Sequence, residues 1–565
     1  MVKSKNHIAH AVAAVVLAVV AATVFCTGCA DNSSAGSTES TGLTYVSPSE
    51  LAKTESSGST GAESSSGAQS GQGSAGSGAS SGGSGSSGGS GGTGSQNGQP
   101  PSMPGGSGGG GADTNSYSYT GTNSATKTAD GKTVSVSGTV SSTTADRNTV
   151  LAVNSGVLKI KDATLKKSGD DTNGDNCNFY GLNSTLLAVG EKTKAYISDS
   201  SITSTSEGSN GIFATDNARV YANNVDITTK SGGNARGVDA TYGGVVYGNE
   251  LNISTAKDHC AALATDRGGG YISVTNSKLK TAGSGSPLLY STGDIEVDGV
   301  TGTASGSQIA GMEGLNRIII YNSKLTSTND ARSGSDPIKT GVILYQSTSG
   351  DAEAATSETA DFEAVDSELK TSISDGAMFY VTNTNAKVVL KDTELDFDSD
   401  NVDLIDCVGN SNNWGQSGSN GGTLTFTGRD MTMSGNIKTD DISSVDMYLL
   451  DETEYPGKTT GSGNVTMNVG SGSEWIVTGN CTVKNLNCED GGKIVDKDGK
   501  TVTVKADGKT VVKGDSKYTV TVTGSYSETV KETSATKTAK KVLSRSAFDK
   551  YYDTSTKFGT NDIGD

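Results

Sequence analysis

Proline occupies only 7 of the 565 positions and no Gly-X-Y period exists, so collagen is excluded although glycine takes 77. Aromatic residues make up 5% and apolar residues 32% of the chain, too little for several thick-cored globular domains. Cations are outnumbered by acids, 44 to 62, and a net charge of −18 repels a phosphate backbone, so nucleic acid is not an expected partner. Beyond residue 30 the cysteines are Cys177, Cys260, Cys407, Cys481 and Cys488, with no CxxC pair. That excludes a zinc ribbon and a disulfide-dense scaffold. Cys481 and Cys488 alone lie close enough in sequence to form a disulfide in an oxidising compartment. The one histidine beyond residue 10, His259, adjoins Cys260, and neighbours on a strand point to opposite faces, which makes them poor catalytic partners. P-loop, GxSxG and HExxH patterns are all missing.

What is present begins with an address. Lys3 and Lys5 precede a run from Ala11 to Phe25 that is apolar apart from Thr23, long enough for a signal h-region but short for a spanning helix. It ends in Cys26-Thr27-Gly28-Cys29, which resembles the bacterial lipoprotein box, with Cys26 where leucine is usual. The resemblance implies a signal peptide over 1–28, lipidation of Cys29 and a membrane-anchored protein on the extracellular face of a bacterial envelope. An ordinary cleaved signal or an uncleaved anchor are the alternatives. From Ser56 to Gly111 there is no Val, Ile, Leu, Phe, Tyr or Trp, and Glu63 is the only charge. Such a segment cannot offset its chain entropy, so 29–115 is expected to be a disordered Ser/Gly-rich linker. Its Gly/Ser portion would span roughly 40 Å.

Repeats follow. Tetrads ending in an aliphatic recur: Asp162 to Leu165, Asp199 to Ile202, Asn224 to Ile227, Asn276 to Leu279, Asn322 to Leu325, Asp366 to Leu369 and Asp392 to Leu395. Ile253 and Val300 hold the aliphatic place in weaker copies, and the anchors lie 25 or 26 residues apart from Ile202 to Ile227, Ile253 and Leu279, from Val300 to Leu325 and from Leu369 to Leu395. A second column, Thr215, Thr241, Thr265 and Thr292, keeps the same phase. Helical periodicity is absent, and the alternation is that of strands. A period of this length predicts an all-β parallel β-helix over 116–530, in which each coil buries its aliphatics only by stacking on its neighbours. Asn and Asp before each anchor suit a corner, because they tolerate left-handed backbone. The pattern resembles the right-handed parallel β-helix of pectin-lyase-like proteins from about Val134 to Val522. Ser473 to Leu486 is similar to a coil of autotransporter passenger adhesins, with Trp475 as a core or ladder residue. Asp498-Gly499 and Asp507-Gly508 read as hairpin turns. Residues 531–565 form a Lys/Thr-rich extension with a short helix expected near 542–552.

Candidate chemistry is sparse. Directly after the threonine column stand Asp216, Tyr242, Asp266 and Gly293, then Arg267 and Asp294. If the register holds, Asp216 and Asp266 lie two coils or roughly 10 Å apart, near the carboxyl separation of an inverting glycosidase. They and Arg267 are the catalytic candidates, against a solvated acidic face as the ordinary alternative. The G-H-G and R-I-K elements of polygalacturonases do not occur. Three coils carry insertions. In the first, Asp171, Asn173 and Asp175 resemble the opening of a calcium loop, although Asn176 and Leu182 replace its glycine and glutamate. A polar loop without metal is the alternative, and no other cofactor is expected. The second is acidic, over Asp330 to Pro337 and Gly350 to Thr359. The third sets Trp414 among Asn410, Asn412 and Asn413, which suits sugar recognition unless Trp414 only pins its loop. Tyr242 and Asp294 complete the candidate ligand-binding set. The function expected is adhesion or carbohydrate binding without catalysis, with a polysaccharide or host cell-surface glycan as partner. A polysaccharide lyase or glycoside hydrolase is the alternative, and a ligand-free structural surface protein a second.

Overall fold

The computed structural model describes residues 44–46, 113–539, 541–556 and 558–559, all within one compact unit. Cys29 and the signal segment lie outside the described residues. The fold is all-β and built on long parallel sheets, as a β-solenoid requires. Sheet I has thirteen parallel strands, from Ala125–Asp130 to Thr459–Gly461. Sheet II starts at Thr133–Ser142, and its early strands, such as Val245–Thr255, are long and bent. Past Val245–Thr255 the chain breaks at the bend: residues 245–249 pair with Tyr271–Thr275 and residues 252–255 with Lys278–Thr281.

The bend is made by the corner residues picked out in the sequence. Asp162, Asp199, Asn224, Asn276, Asn322, Asp366 and Asp392 all have φ between 46° and 54°. Their short polar side chains bond along the stack, as Asn224 Nδ2 does to Asp199 Oδ1 at 2.9 Å and Asn322 Nδ2 to Asp298 Oδ1 at 3.0 Å. Serines one place on extend this row. Ser277 Oγ accepts from Leu251 N, and Ser323 Oγ from Val300 N, each at 2.9 Å.

Three residues past each corner the aliphatics stack in register: Leu165 on Ile202, Ile227 on Ile253, Ile253 on Leu279, and Leu325 on Leu369. One expected member is corrected. Gly302, not Val300, pairs with both Leu279 and Leu325. The corner there is Gly299, at φ 66°, which puts Val300 in the serine position, and Leu288 fills the space beside Gly302. The opposite wall of the core is the inward row of sheet I, including Ile212, Val238, Leu263, Leu289 and Val342, all fully buried. The core is therefore thin and continuous, which is how a chain so poor in aromatics closes one.

At the far end Tyr455, Trp475 and Ile494 stack in a three-stranded sheet, and the buried indole donates to Gly457 O at 3.0 Å. Asp507-Gly508 turns an antiparallel pair, Thr503–Ala506 with Lys509–Val512. Cys481 and Cys488 are separate thiols, contrary to the disulfide their spacing allows. They sit in strands of different sheets, Cys481 paired to Val520 and Cys488 to Val469.

The extension does not project. Residues 533–539, 541–556 and 558–559 lie along sheet II as a strap running against the direction of the coils. Thr536 O meets Arg429, Ala539 N meets Glu363, Leu543 N meets Glu296, and the Tyr552 hydroxyl donates to Tyr221 O at 2.7 Å and Ile197 O at 3.0 Å. The expected helix is Ser546–Tyr552. Just before it, Lys541–Leu543 pairs in parallel with Thr44–Val46.

Candidate functional site

Alternation along sheet I sends one residue per strand outward, and register stacks them as Phe213, Asp239, Ala264, Tyr290, Gly311, Ile343 and Tyr380. Side-chain volume falls away at Ala264 and Gly311. Phe213 at one end and Ile343 with Tyr380 at the other are buried in apolar clusters. A cavity of about 470 Å³ opens beside this row, lined by Tyr290 and Glu313.

All three insertions wall it. The first folds as a helix, α1, over Gly174–Tyr180. Asn173 caps it by accepting from Asn176 N at 3.1 Å, and Gly181 ends it at φ 73°. Asn178 and Phe179 of α1 face the hollow. The second insertion brings Ser333 to Asp336 from one side and Ser347 to Asp351 from the other. The third brings Trp414, which stacks on Tyr345 with ring centroids 4.8 Å apart. Its backbone is gripped by Asn410 and by Asn420, whose Nδ2 donates to Trp414 O at 2.9 Å. Trp414 thus pins its loop and also lines the hollow.

Four carboxyls reach the groove, in different surroundings. Arg236 lies between two buried acids, 2.9 Å from Asp266 and 3.4 Å from Asp239. Burial raises both carboxyls, Asp239 to about 7, and the pair in turn keeps the guanidinium charged against its own burial. Asp351 accepts from Arg267 Nε at 2.9 Å, and that guanidinium lies 4.0 Å from the Phe179 ring centroid. Glu313 accepts from the Tyr290 hydroxyl at 2.9 Å, from Ser347 N at 3.2 Å and from the Ser347 and Ser349 hydroxyls, while burial raises its pKa. Asp336 is 9% exposed and its Oδ2 has no hydrogen-bond partner. Burial pushes its carboxyl up to about 8, opposed only by the Thr340 hydroxyl. His259 stands exposed at the rim, and Cys260 is buried behind it.

Of the residues singled out in the sequence, the groove gathers Asp266 and Trp414, with Arg267 immediately behind them. Asp216 is not brought to it. The expected threonine column breaks at Thr265, which pairs with Ala240 and through it with Ala214 rather than with Thr215 or Thr241, so Asp266 falls one place short of the column that contains Asp216. Tyr242 is buried, stacked on Tyr180 at 5.7 Å, with its hydroxyl donating to Asp113 O at 2.6 Å. Asp294 belongs to sheet II, where it is fully buried and paired with Arg317 at 3.0 Å. Asn412 donates to Ser335 O and ties two insertions together, while Asn413 is an exposed loop residue at φ 60°.

The calcium-like triplet is divided among other tasks. Asn173 is the helix cap, Asp175 is exposed in the first turn of α1, and Asp171 Oδ2 lies 3.6 Å from the Cys177 thiol. Among the described residues no group of three or more His, Cys, Asp or Glu is placed to hold a metal. Sequence reasoning missed Arg236, Tyr290, Glu313, Asp336, Tyr345 and Asp351. The strand Leu289–Ser291 carried a usable signal, because alternation around Leu289 and Ser291 places Tyr290 outward. No family model matches the chain, and no curated protein matches it.

Proposed function

We propose that this chain is a carbohydrate-binding lipoprotein of the bacterial cell surface, anchored through Cys29, which holds a glycan in the groove lined by Tyr290, Tyr345 and Trp414. Its sheets are taken as faces of a right-handed β-helix with coils of about 25 residues. Registers of 26 residues from Ile227 to Ile253 and of 25 from Val238 to Leu263 support that reading. The observation that carries the binding proposal is the composition of the groove. A stacked Trp414–Tyr345 pair stands beside Asn178, Asn234, Gln308 and a row of serines. Flat ring faces beside directional hydrogen-bonding groups suit a polyhydroxylated ligand.

A glycan array and calorimetry on the full chain test this, with Thr348→Trp as the blocking variant. Thr348 is exposed and lines the cavity, so a bulky ring there obstructs the groove without displacing a core side chain. Binding lost in this variant supports the groove. Binding that survives it, or no binding at all, overturns the proposal. One observation favours glycoside cleavage as a second reading: Asp336 holds its proton near neutrality, while Asp351 is paired with Arg267. New reducing ends that depend on Asp336 would put that reading first.

A further inference from the structure

On the outer face of sheet II, Lys387 stands directly across from Asp361, and Glu363 lies two places further along the strand of Asp361, on the same face. All three are withdrawn from water, at 9%, 6% and 0% exposure. Lys387 Nζ donates to Glu363 Oε1 at 2.9 Å and to Lys537 O of the strap at 3.1 Å, which takes two of its three protons. Asp361 Oδ1 lies 3.2 Å from the same nitrogen and yet accepts no hydrogen bond.

The two carboxyls are held differently. Glu363 is furnished as an acceptor, since the Ala539 amide donates to both of its oxygens, at 2.8 and 2.7 Å, in addition to Lys387. Asp361 has no such donor at Oδ1, and burial, with Glu363 beside it, raises its pKa against the pull of Lys387 and Arg317. An ion pair accounts for the contact with Glu363. It does not account for a carboxyl oxygen left bare beside an ammonium.

We propose that Lys387 and Asp361 condense to a side-chain amide, with Glu363 relaying the protons, so that the strands Ala360–Val365 and Asn385–Lys391 become covalently joined beneath the strap. The link is independent of what the groove binds. Burial disfavours the charge of Lys387, but Glu363 and Asp361 more than offset it, so the nitrogen starts as an ammonium. It passes one proton to the Glu363 carboxylate. The freed amine attacks Cγ of the protonated Asp361, and a C–N bond forms. The Cγ–OH bond breaks as its oxygen takes that proton from Glu363, which accepts a second proton from the nitrogen in its place. One water leaves, the amide nitrogen keeps one hydrogen, and Glu363 ends protonated, so atoms and charge balance without oxidant or cofactor. Groups held about 3–3.5 Å apart need no diffusional encounter, and a site that excludes water favours condensation over hydrolysis.

The test is tryptic digestion of the full chain with mass spectrometry of the peptides. An unlinked chain yields 340–370, 371–387 and 388–391 as separate peptides. The amide should block cleavage after Lys387, so that 371–387 disappears and one branched species joins 340–370 to 371–391, lighter by one water. Fragmentation should place the bond at Asp361. Lys387→Arg keeps the positive charge but has no amine to acylate, and it should restore the separate peptides. Glu363→Gln keeps the shape but cannot relay protons, and it should restore them too. Peptide 371–387 recovered in full from the parent overturns the proposal, and this digest decides alone, whatever the variants' folding. A bond mapped to Glu363 overturns it as well, and so does a link that persists undiminished in Glu363→Gln.

Discussion

Replacing Arg545 with methionine should unfasten the C-terminal strap while the parallel stack beneath it stays folded. Arg545 is 2% exposed. Its Nη1 donates to Ser273 O at 2.8 Å and Ser273 Oγ at 3.0 Å, and Nη2 to Gly248 O at 2.9 Å and Thr275 Oγ1 at 3.2 Å. Nε reaches Thr556 Oγ1 at 2.8 Å, and the guanidinium lies 4.8 Å from the Phe548 ring centroid. Each bond from a charged donor contributes about 1.5–3 kcal/mol net, but bonds from one group do not add, and burying the charge costs several kcal/mol. Methionine keeps the apolar stem, so a loss of about 3 kcal/mol is expected, equivalent to roughly a hundredfold shift in strap opening. Native-state hydrogen exchange reads this at the Leu543 amide, which bonds both carboxylate oxygens of Glu296 at 3.0 and 3.1 Å. Protection there should fall about a hundredfold, while Leu263 in the core row keeps its own. If Leu543 protection is unchanged, Arg545 does not hold the strap. If Leu263 exchanges in step with it, strap and stack are one cooperative unit and the reasoning is wrong.

Further predictions follow from the same geometry. Burial holds Asp336 at about 8 against an ordinary 3.8, so the folded chain keeps a proton that the unfolded chain releases. Stability should therefore fall as pH rises from about 4 to about 8 and level beyond. Asp336→Asn has no such proton to lose, and its Tm advantage over the parent should grow across that window; a constant difference refutes the assignment. At the corner, Asn322→Gly keeps the φ of 47° but loses the bond to Asp298, costing about 1 kcal/mol, whereas Asn322→Ala loses both and should cost about 2. Equal denaturation midpoints for the two variants would show that backbone conformation is not what asparagine supplies. Cys29→Ala should leave the membrane fraction or accumulate as precursor, and labelled palmitate incorporated by that variant would place the lipid elsewhere.

Much of the architecture was legible because it repeats. Asp199, Asn224, Asn276 and Asn322 announce their corners, and Ile202, Ile227 and Leu279 announce the row they feed, since stacking forces each coil to solve the same problem. The errors came where a copy departs from the rule. Val300 looked like an anchor because nothing in the sequence says that Gly299, rather than an Asn or Asp, is the corner. Asp266 looked aligned with Asp216 because Thr265 was counted with Thr215 and Thr241, whereas it pairs in the register of Ala214 and Ala240. The groove was legible only in fragments. Its three walls were visible as insertions, but Asp336, Trp414 and Phe179 are far apart in sequence. Only the fold shows that their loops close over the same cavity.

The two outer faces explain why the hollow of sheet I is the proposed binding groove. Sheet II carries its own polar rows, with Asp294, Arg317, Asp361 and Lys387 in one register and Glu296 and Glu363 in the next. A polymer could have been read there, and Asp294 was expected to do so. Those charges are already matched on the face itself, Arg317 to Asp294 at 3.0 Å, and Lys387 to Asp361 at 3.2 Å and to Glu363 of the next row at 2.9 Å. The strap supplies what remains, giving the amides of Leu543 and Ala539 to Glu296 and Glu363 and packing Leu543 and Phe548 on Tyr221 and Tyr247. A face whose acids are bonded and whose aromatics are covered offers a ligand little that it lacks. Sheet I is built the other way: the three insertions raise walls around an open cavity beside Tyr290, and rings, amides and hydroxyls line it, so recognition has both room and hydrogen-bonding groups there.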